Sequence, residues 1–220
     1  MNTPSIARPQ SAILATNKVL KNTYILLSAT LVFSAIMAAV SMSLHLPAGA
    51  SMLLMIGAIV MGMFVLPRTA NSTAGIGVIF AITGMLGLSL GPILTSYLAL
   101  PNGANIIMTA FGGTGIIFLG LSGYALTTRK DFSFMGGFLI AGMLMIFVAA
   151  IANIFLHMPA ISLAISSVVI MIMSGFILYD TSRIINGGET NYIMATFGLY
   201  LNIFNIFIHL LNLLGMLGDD

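Results

Sequence analysis

The sequence predicts an all-α integral membrane protein with seven transmembrane helices, and three observations lead to that fold class. Hydrophobic residues make up 59% of the 220 residues and charged residues only 5%, which leaves too little polar surface to keep the chain dissolved in water. The apolar residues form seven long uninterrupted runs, whereas a membrane β-strand alternates over about ten residues. All lysines and arginines lie outside these runs.

The length of each run matches a membrane span. A helix that rises about 1.5 Å per residue needs about 20 apolar residues to cross a hydrocarbon core of about 30 Å. We therefore predict spans at residues 23–43, 48–66, 74–98, 104–126, 133–156, 160–179 and 192–216. Since the connections are short, the chain is predicted to have one transmembrane domain over residues 23–216, with a tail at residues 1–22 and a short end at residues 217–220.

The residues that flank the first three spans support these limits. The first span is too long for the core of a signal peptide and follows a basic tail, so we expect it to be retained as a signal-anchor. Pro47 opens the second span and Arg68 follows it. Gly91 and Pro92 are expected to bend the third span, because proline removes one helical hydrogen bond.

The last four spans are limited in the same way. Arg129 and Lys130 separate the fourth span from the fifth. Pro159 opens the sixth span and Asp180 ends it. Residues 186–191 have the composition of a turn followed by a helix start, so the seventh span begins after them.

Basic residues occur only in the tail and in alternate connections, which predicts the orientation of the chain. Lysine and arginine favour the cytoplasmic side, so we expect a cytoplasmic N-terminus and an outward C-terminus. We expect contact with membrane lipids but not with nucleic acid, because the cations are spread over four short segments. They are Arg8, Lys18, Lys21, Arg68, Arg129, Lys130 and Arg183.

A polar stripe is predicted on the seventh span. Asn202, Asn205, His209 and Asn212 follow one another at spacings of three, four and three, which places them on one helix face. Lipid cannot satisfy amide and imidazole groups, so the stripe should face the bundle or a wet cavity. Two interpretations stay open, hydrogen bonding to neighbouring helices and the lining of a pathway.

Asp180 and Arg183 lie three residues apart, a spacing at which they can pair on one helical turn. The simpler interpretation is an ion pair at the membrane interface. If the helix continues through Asp180, the carboxylate instead faces the polar stripe and could gate protons or cations. Both interpretations remain open from the spacing alone.

Catalytic machinery is not predicted. The chain has no cysteine, and its three histidines are scattered without a close ligand pair, so we expect neither a metal site nor a disulfide. No acid–base pair or serine triad can be assembled from the sequence. We therefore expect a protein without enzymatic activity or a cofactor.

Five short segments resemble one known family along the whole chain. They lie at residues 18–24, 91–94, 126–134, 152–156 and 187–193. In their order and spacing the chain resembles the Bax inhibitor-1 family, and within it the bacterial YccA-like branch. The resemblance implies six helices around a central seventh in the bacterial inner membrane. It also implies modulation of the membrane AAA protease FtsH as a poor substrate, with HflK/HflC-like proteins as further partners.

In this mechanism, residues 1–22 would be a disordered handle that the protease engages, because they are polar and lack bulky apolar clusters. A tightly packed bundle would then resist extraction from the membrane.

Another branch of the family, the YetJ type, resembles pH-sensitive calcium leak channels with two facing aspartates. Asp180 matches the first aspartate, whereas Asn202 stands in the place of the second. Two close carboxylates titrate as a pair, so this replacement argues against a di-aspartyl latch. Arg68 is the candidate for the arginine of that latch, and Arg183 lies beside Asp180. One carboxylate with amide and backbone oxygens would bind Ca²⁺ only weakly.

Overall fold

The computed structural model describes the backbone of residues 10–217 and the side chains of residues 14–217. Over this range the chain forms seven helices long and apolar enough to cross a membrane, which confirms the predicted fold class. They are α1 (Gln10–Ser43), α2 (Ala48–Thr69), α3 (Ala74–Leu98), α4 (Gly103–Thr128), α5 (Gly136–Leu156), α6 (Pro159–Asn186) and α7 (Tyr192–Leu217).

Two helices extend well beyond the predicted spans. α1 begins at Gln10, so the prediction of a disordered handle is wrong for residues 10–22, and residues 1–9 lie outside the described part of the chain. α6 continues through Asp180 to Asn186. The hydropathy of a run indicates only the part of a helix that lies in the hydrocarbon core. A polar continuation of the same helix outside the core has no hydrophobic run, so hydropathy does not detect it.

α2 contains a π-helical segment, which is wider than a regular α-helical turn, close to a proline. Its residues Met61–Val65 are π-helical and are followed by Leu66 and Pro67. Proline has no backbone N–H, and its ring crowds the carbonyl four residues earlier. The regular series of α-helical hydrogen bonds is therefore interrupted at Pro67. The N–H of Leu66 instead bonds the carbonyl of Met61, five residues back.

α1 and α3 pack closely because α3 presents glycines to α1. A Cβ atom at Gly84 would lie 2.8 Å from Cε1 of Phe33. Cβ atoms at Gly87 and Gly91 would collide with Ser34 and Ser41 of α1. These glycines allow the backbones to approach, as small residues do between membrane helices.

The helices are unequally enclosed. α7 packs against α1, α3, α4 and α6, whereas among the described helices α5 packs mainly against α6. Buried residues make up 50% of the most apolar stretch of α3 and 39% of that of α7, but only 6% of that of α5. α7 is thus internal without being the most enclosed helix, and the implied ring of six helices around it is not confirmed.

Candidate functional site

The candidate site lies where α6 and α7 face each other through a carboxylate and an amide. Nδ2 of Asn202 donates a hydrogen bond of 2.8 Å to Oδ2 of Asp180. Asn202 is buried and Asp180 is partly buried. The continuation of α6 through Asp180 turns this carboxylate toward the predicted polar stripe. A charge-assisted hydrogen bond is stronger than a neutral one, so the contact stabilises the packing of α6 on α7.

A glycine on α7 allows this approach. Gly198 precedes Asn202 by one helical turn, and a Cβ atom there would lie 3.2 Å from Oδ2 of Asp180. That separation is tighter than ordinary van der Waals contact, so any side chain at this position would push the carboxylate away. Gly198 thus leaves room for the Asp180 carboxylate, and Asn202 donates a hydrogen bond to it.

Arg183 does not form the ion pair with Asp180 that was one of the two interpretations of their spacing. Its guanidinium lies 3.5 Å from Oε2 of Glu189 and donates to the carbonyl of Gly188 at 3.3 Å. It also lies 5.6 Å from the ring centroid of Tyr179. The left-handed conformation of Gly187, with φ of 77°, reverses the chain and brings Glu189 back to Arg183.

A pocket of about 200 Å³ opens beside these groups. Asp180, Arg183 and Glu189 line it from α6 and the following turn, and the first turns of α7 line the rest. Its wall is mainly apolar, with Met194, Phe197 and Leu201 among the lining residues. The pocket could hold water or a small ion, although no group of three or more histidine or acidic side chains suited to a metal occurs in the described residues.

The remaining stripe residues have different surroundings. Nδ2 of Asn205 bonds the carbonyl of Leu201 in its own helix at 2.8 Å. Nδ1 of His209 lies 3.1 Å from Oγ of Ser166 on α6. Oδ1 of Asn212 is buried without a hydrogen-bond partner in the described part of the chain. Asn202 and His209 thus both bond α6, as expected of a stripe that joins helices.

Arg68 is not part of this site. Its guanidinium donates a 2.5 Å hydrogen bond to the carbonyl of Phe64, one turn earlier in α2, and the residue is exposed. It does not line the pocket beside Asp180.

Sequence reasoning did not identify two further anchors of α7. The hydroxyl of Tyr200 lies 2.6 Å from Oγ of Ser34 on α1 and donates to the carbonyl of Thr83 on α3 at 3.4 Å. Asn191 caps α7 through Oδ1, and its Nδ2 donates to the carbonyl of Ala70 at 3.0 Å. The position of Tyr200 well inside a span was the available signal for the first anchor, but its partners lie more than a hundred residues away.

Comparison with known proteins places this architecture in a family. A family model described as the inhibitor of apoptosis-promoting Bax1 matches residues 16–219. The chain belongs to this Bax1-inhibitor family. The matched region includes Asp180, Asn202 and the whole of α2 to α7.

Three relatives are similar to this chain over nearly its whole length. The modulator of FtsH protease YccA of Escherichia coli K12 is 50% identical over 216 residues, which are 98% of each chain. The inner membrane protein YccA of Escherichia coli O6:H1 has the same identity and coverage. An uncharacterized membrane protein of Vibrio cholerae is 50% identical over 222 residues, covering all of both chains.

Proposed function

We propose that this chain is a multi-pass protein of the bacterial inner membrane that modulates an FtsH-type AAA protease without being an enzyme itself. The observation that carries the proposal is the 50% identity, over 98% of both chains, to the modulator of FtsH protease YccA. Because the aligned region covers 98% of this chain, the similarity is not confined to one helix or one short segment.

The proposed mechanism is occupancy of the protease by a substrate that is hard to extract. The glycine contacts between α1 and α3 and the polar contacts of α7 resist separation of the helices. Each contact between helices that the protease breaks must be replaced by weaker contacts with lipid. Such a substrate would hold the protease longer than a loosely packed one.

Residues 1–9 are the proposed handle. They precede α1, contain Pro4 and Pro9, and have no cluster of bulky apolar residues. For a cytoplasmic AAA protease to engage them, the N-terminus must face the cytoplasm, which is the orientation that the basic residues favour. HflK/HflC-like proteins are the further partners, and α7 is the internal helix around which we propose the others to be arranged.

Co-purification from the native host tests the proposal. We expect the full chain to co-purify with the FtsH-type protease in mild detergent, and deletion of residues 2–9 to abolish this. The matched control is a chain in which residues 2–9 are shuffled, which should still bind because it keeps length and composition. Absence of the protease from the full-length preparation would contradict the proposal.

A cation leak is the second candidate, and the pocket beside Asp180 favours it. Asp180 and Glu189 contribute two carboxylates to a pocket that lies between α6 and α7, and Arg183, which pairs with Glu189, lines the same pocket. Carboxylate and backbone oxygens are hard ligands suited to Ca²⁺, although the site has few of them, so binding would be weak. A leak needs only weak binding.

Calcium flux into proteoliposomes between pH 5 and pH 8 tests the second candidate. Asp180→Asn should reduce the flux, because it removes a carboxylate from the pocket. Asp131→Asn is the matched control, since Asp131 is exposed in a connection and does not line the pocket. No protein-dependent flux, or an equal loss in both variants, would exclude the leak.

A further inference from the structure

The pocket between α6 and α7 contains one carboxylate that has no cationic partner in the described part of the chain. Glu189 is fully engaged, because its Oε2 lies 3.5 Å from Nη2 of Arg183 and its Oε1 accepts the N–H of Asn191 at 2.9 Å. Asp180 forms no ion pair among the described residues and receives its hydrogen bond from the uncharged amide of Asn202. The pocket therefore has one net negative charge, which lies on Asp180.

The surroundings of Asp180 make this charge unfavourable without a partner. The carboxylate is partly buried, and Met194, Phe197 and Leu201 form much of the apolar wall beside it. A charge in such surroundings is costly unless an opposite charge or hydrogen-bond donors replace the lost water. A carboxylate can accept several hydrogen bonds, but in the described contacts of Asp180 only Oδ2 accepts one. A ligand with a positive charge and several donors would supply what is missing.

The composition of the pocket favours an organic cation over a metal ion. Ca²⁺ takes six to eight oxygen ligands, whereas both carboxylate oxygens of Glu189 are already bonded within the chain. A hydrated inorganic ion would also gain nothing from the apolar wall. An organic ammonium has a charge for Asp180 and an apolar body for the wall, so it matches both parts of the pocket.

An aromatic ring in the wall adds to this match. Phe197 lines the pocket, and a Cβ atom at Gly62 of α2 would lie 2.5 Å from Cζ of Phe197. The ring is therefore held against the backbone of α2 and cannot move further away from the pocket on that side. Aromatic rings attract ammonium groups, and this attraction is stronger where water is excluded.

We propose that this pocket binds a small primary alkylammonium, with the ammonium at Asp180 and the alkyl body against Met194, Phe197 and Leu201. Its volume of about 200 Å³ is below the range of about 300–1,000 Å³ typical of pockets for drug-sized ligands, so the ligand must be smaller. A primary ammonium has three N–H donors, whereas a quaternary one has none for the carboxylate. The partly exposed side chains of Arg183 and Glu189 mark the side from which water reaches the pocket.

This inference concerns the pocket of the second candidate function, but it requires neither ion flux nor contact with a protease. Binding to the detergent-solubilised full chain is measured without a membrane gradient. A chain that conducts no Ca²⁺ could therefore still bind the ammonium, and a chain that conducts Ca²⁺ could fail to bind it, so the two proposals fail separately.

Fluorine NMR of the full chain in detergent micelles tests the inference. The probe is 3,3,3-trifluoropropylammonium at neutral pH, and 3,3,3-trifluoropropan-1-ol is its uncharged match. We expect saturable broadening of the fluorine signal, with the ammonium bound about tenfold or more tightly than the alcohol, the ratio expected of a hydrogen bond to a charged group. Asp180→Asn should remove this preference. Protein-free micelles give the background.

The chain supplies matched controls for the charge and for the wall. Asp131→Asn removes an exposed carboxylate outside the pocket and should leave the preference intact. Leu201→Trp should fill the pocket and abolish binding. Leu217→Trp introduces the same side chain at an exposed position of α7 that does not line the pocket, so binding should be retained.

Three results would overturn the proposal. They are equal affinity of the wild type for the ammonium and the alcohol, a preference that survives in folded Asp180→Asn, and displacement of the ammonium by Ca²⁺ at concentrations below the Kd of the ammonium. The last result would assign the pocket to a divalent ion. Thermal unfolding checks that each variant is folded, and Met194→Trp replaces Leu201→Trp if that variant does not fold.

Discussion

At the scale of single residues, α7 is held by a few polar contacts that bridge it to three other helices. Asn202 bonds Asp180 of α6, and Tyr200 bonds Ser34 of α1 and the carbonyl of Thr83 on α3. Tyr200 is 1% exposed, so its hydroxyl has no access to water in place of these partners. A buried polar group that loses its partner is destabilising by more than the hydrogen bond itself contributes.

We expect Asn202→Ala to lower the free energy of unfolding by about 1–3 kcal/mol, because it leaves the Asp180 carboxylate without its donor. Asp180→Asn should change it by about 1 kcal/mol or less, since a side-chain amide oxygen can still accept from Asn202. Denaturant unfolding in detergent micelles measures both.

Asn205→Ala is the matched control for Asn202→Ala, because Asn205 bonds only the carbonyl of Leu201 in its own helix among the described contacts. An equal loss of stability in the two alanine variants would contradict the assigned role of Asn202.

The contacts of the polar residues were harder to predict than the helix face on which they lie. The spacing of the stripe predicts one polar face, but the sequence does not say which of its members meet α6. Of the two interpretations left open for Asp180, the ion pair with Arg183 does not form, because Arg183 pairs with Glu189 of the following turn. The left-handed Gly187 brings Glu189 to Arg183 instead, and no periodicity in the sequence encodes that reversal.

At the scale of elements, the closeness of α1 and α3 depends on the glycines of α3. We expect Gly87→Val to lower the free energy of unfolding by about 1–3 kcal/mol or more, because the new side chain would collide with the backbone of Ser34. Thermal unfolding in detergent measures the change.

Gly77→Val is the matched control on the same helix. Gly77 is exposed and a Cβ atom there would meet nothing within 4 Å, so the change in stability should stay within about 0.5 kcal/mol. If both valine variants unfolded at the same temperature, the glycine contacts would not be what holds α1 against α3.

The number and order of the helices could be predicted because hydropathy and length decide them. Their ends could not be predicted as well, as α1 and α6 show, because polar helical extensions resemble loops in composition. The position of α5 outside the other helices also gave no signal, since a lipid-facing helix and a buried one can have the same apolar composition in a membrane.

At the scale of the whole molecule, the distribution of cations predicts how the chain is oriented in the membrane, and hence which segments a cytoplasmic protease could reach. The connection after α4 carries Arg129 and Lys130, whereas the connection between α3 and α4 carries no charged residue. The positive-inside tendency therefore assigns these two connections to opposite sides of the membrane.

Cysteine labelling tests this orientation without background, because the chain has no cysteine of its own. Asn102→Cys should react with a membrane-impermeant maleimide in intact spheroplasts, whereas Lys130→Cys should react only after permeabilisation. Both positions are exposed, so failure to react would not reflect burial. Labelling of both from the same side would contradict the orientation.

The most direct test of the proposed modulation is the rate at which a purified FtsH-type protease degrades a membrane substrate in proteoliposomes. We expect added full-length chain to slow degradation of that substrate while being degraded slowly itself, and a chain lacking residues 2–9 to have no effect. An unchanged degradation rate in the presence of the full-length chain, at a ratio of several copies per protease, would contradict the proposal.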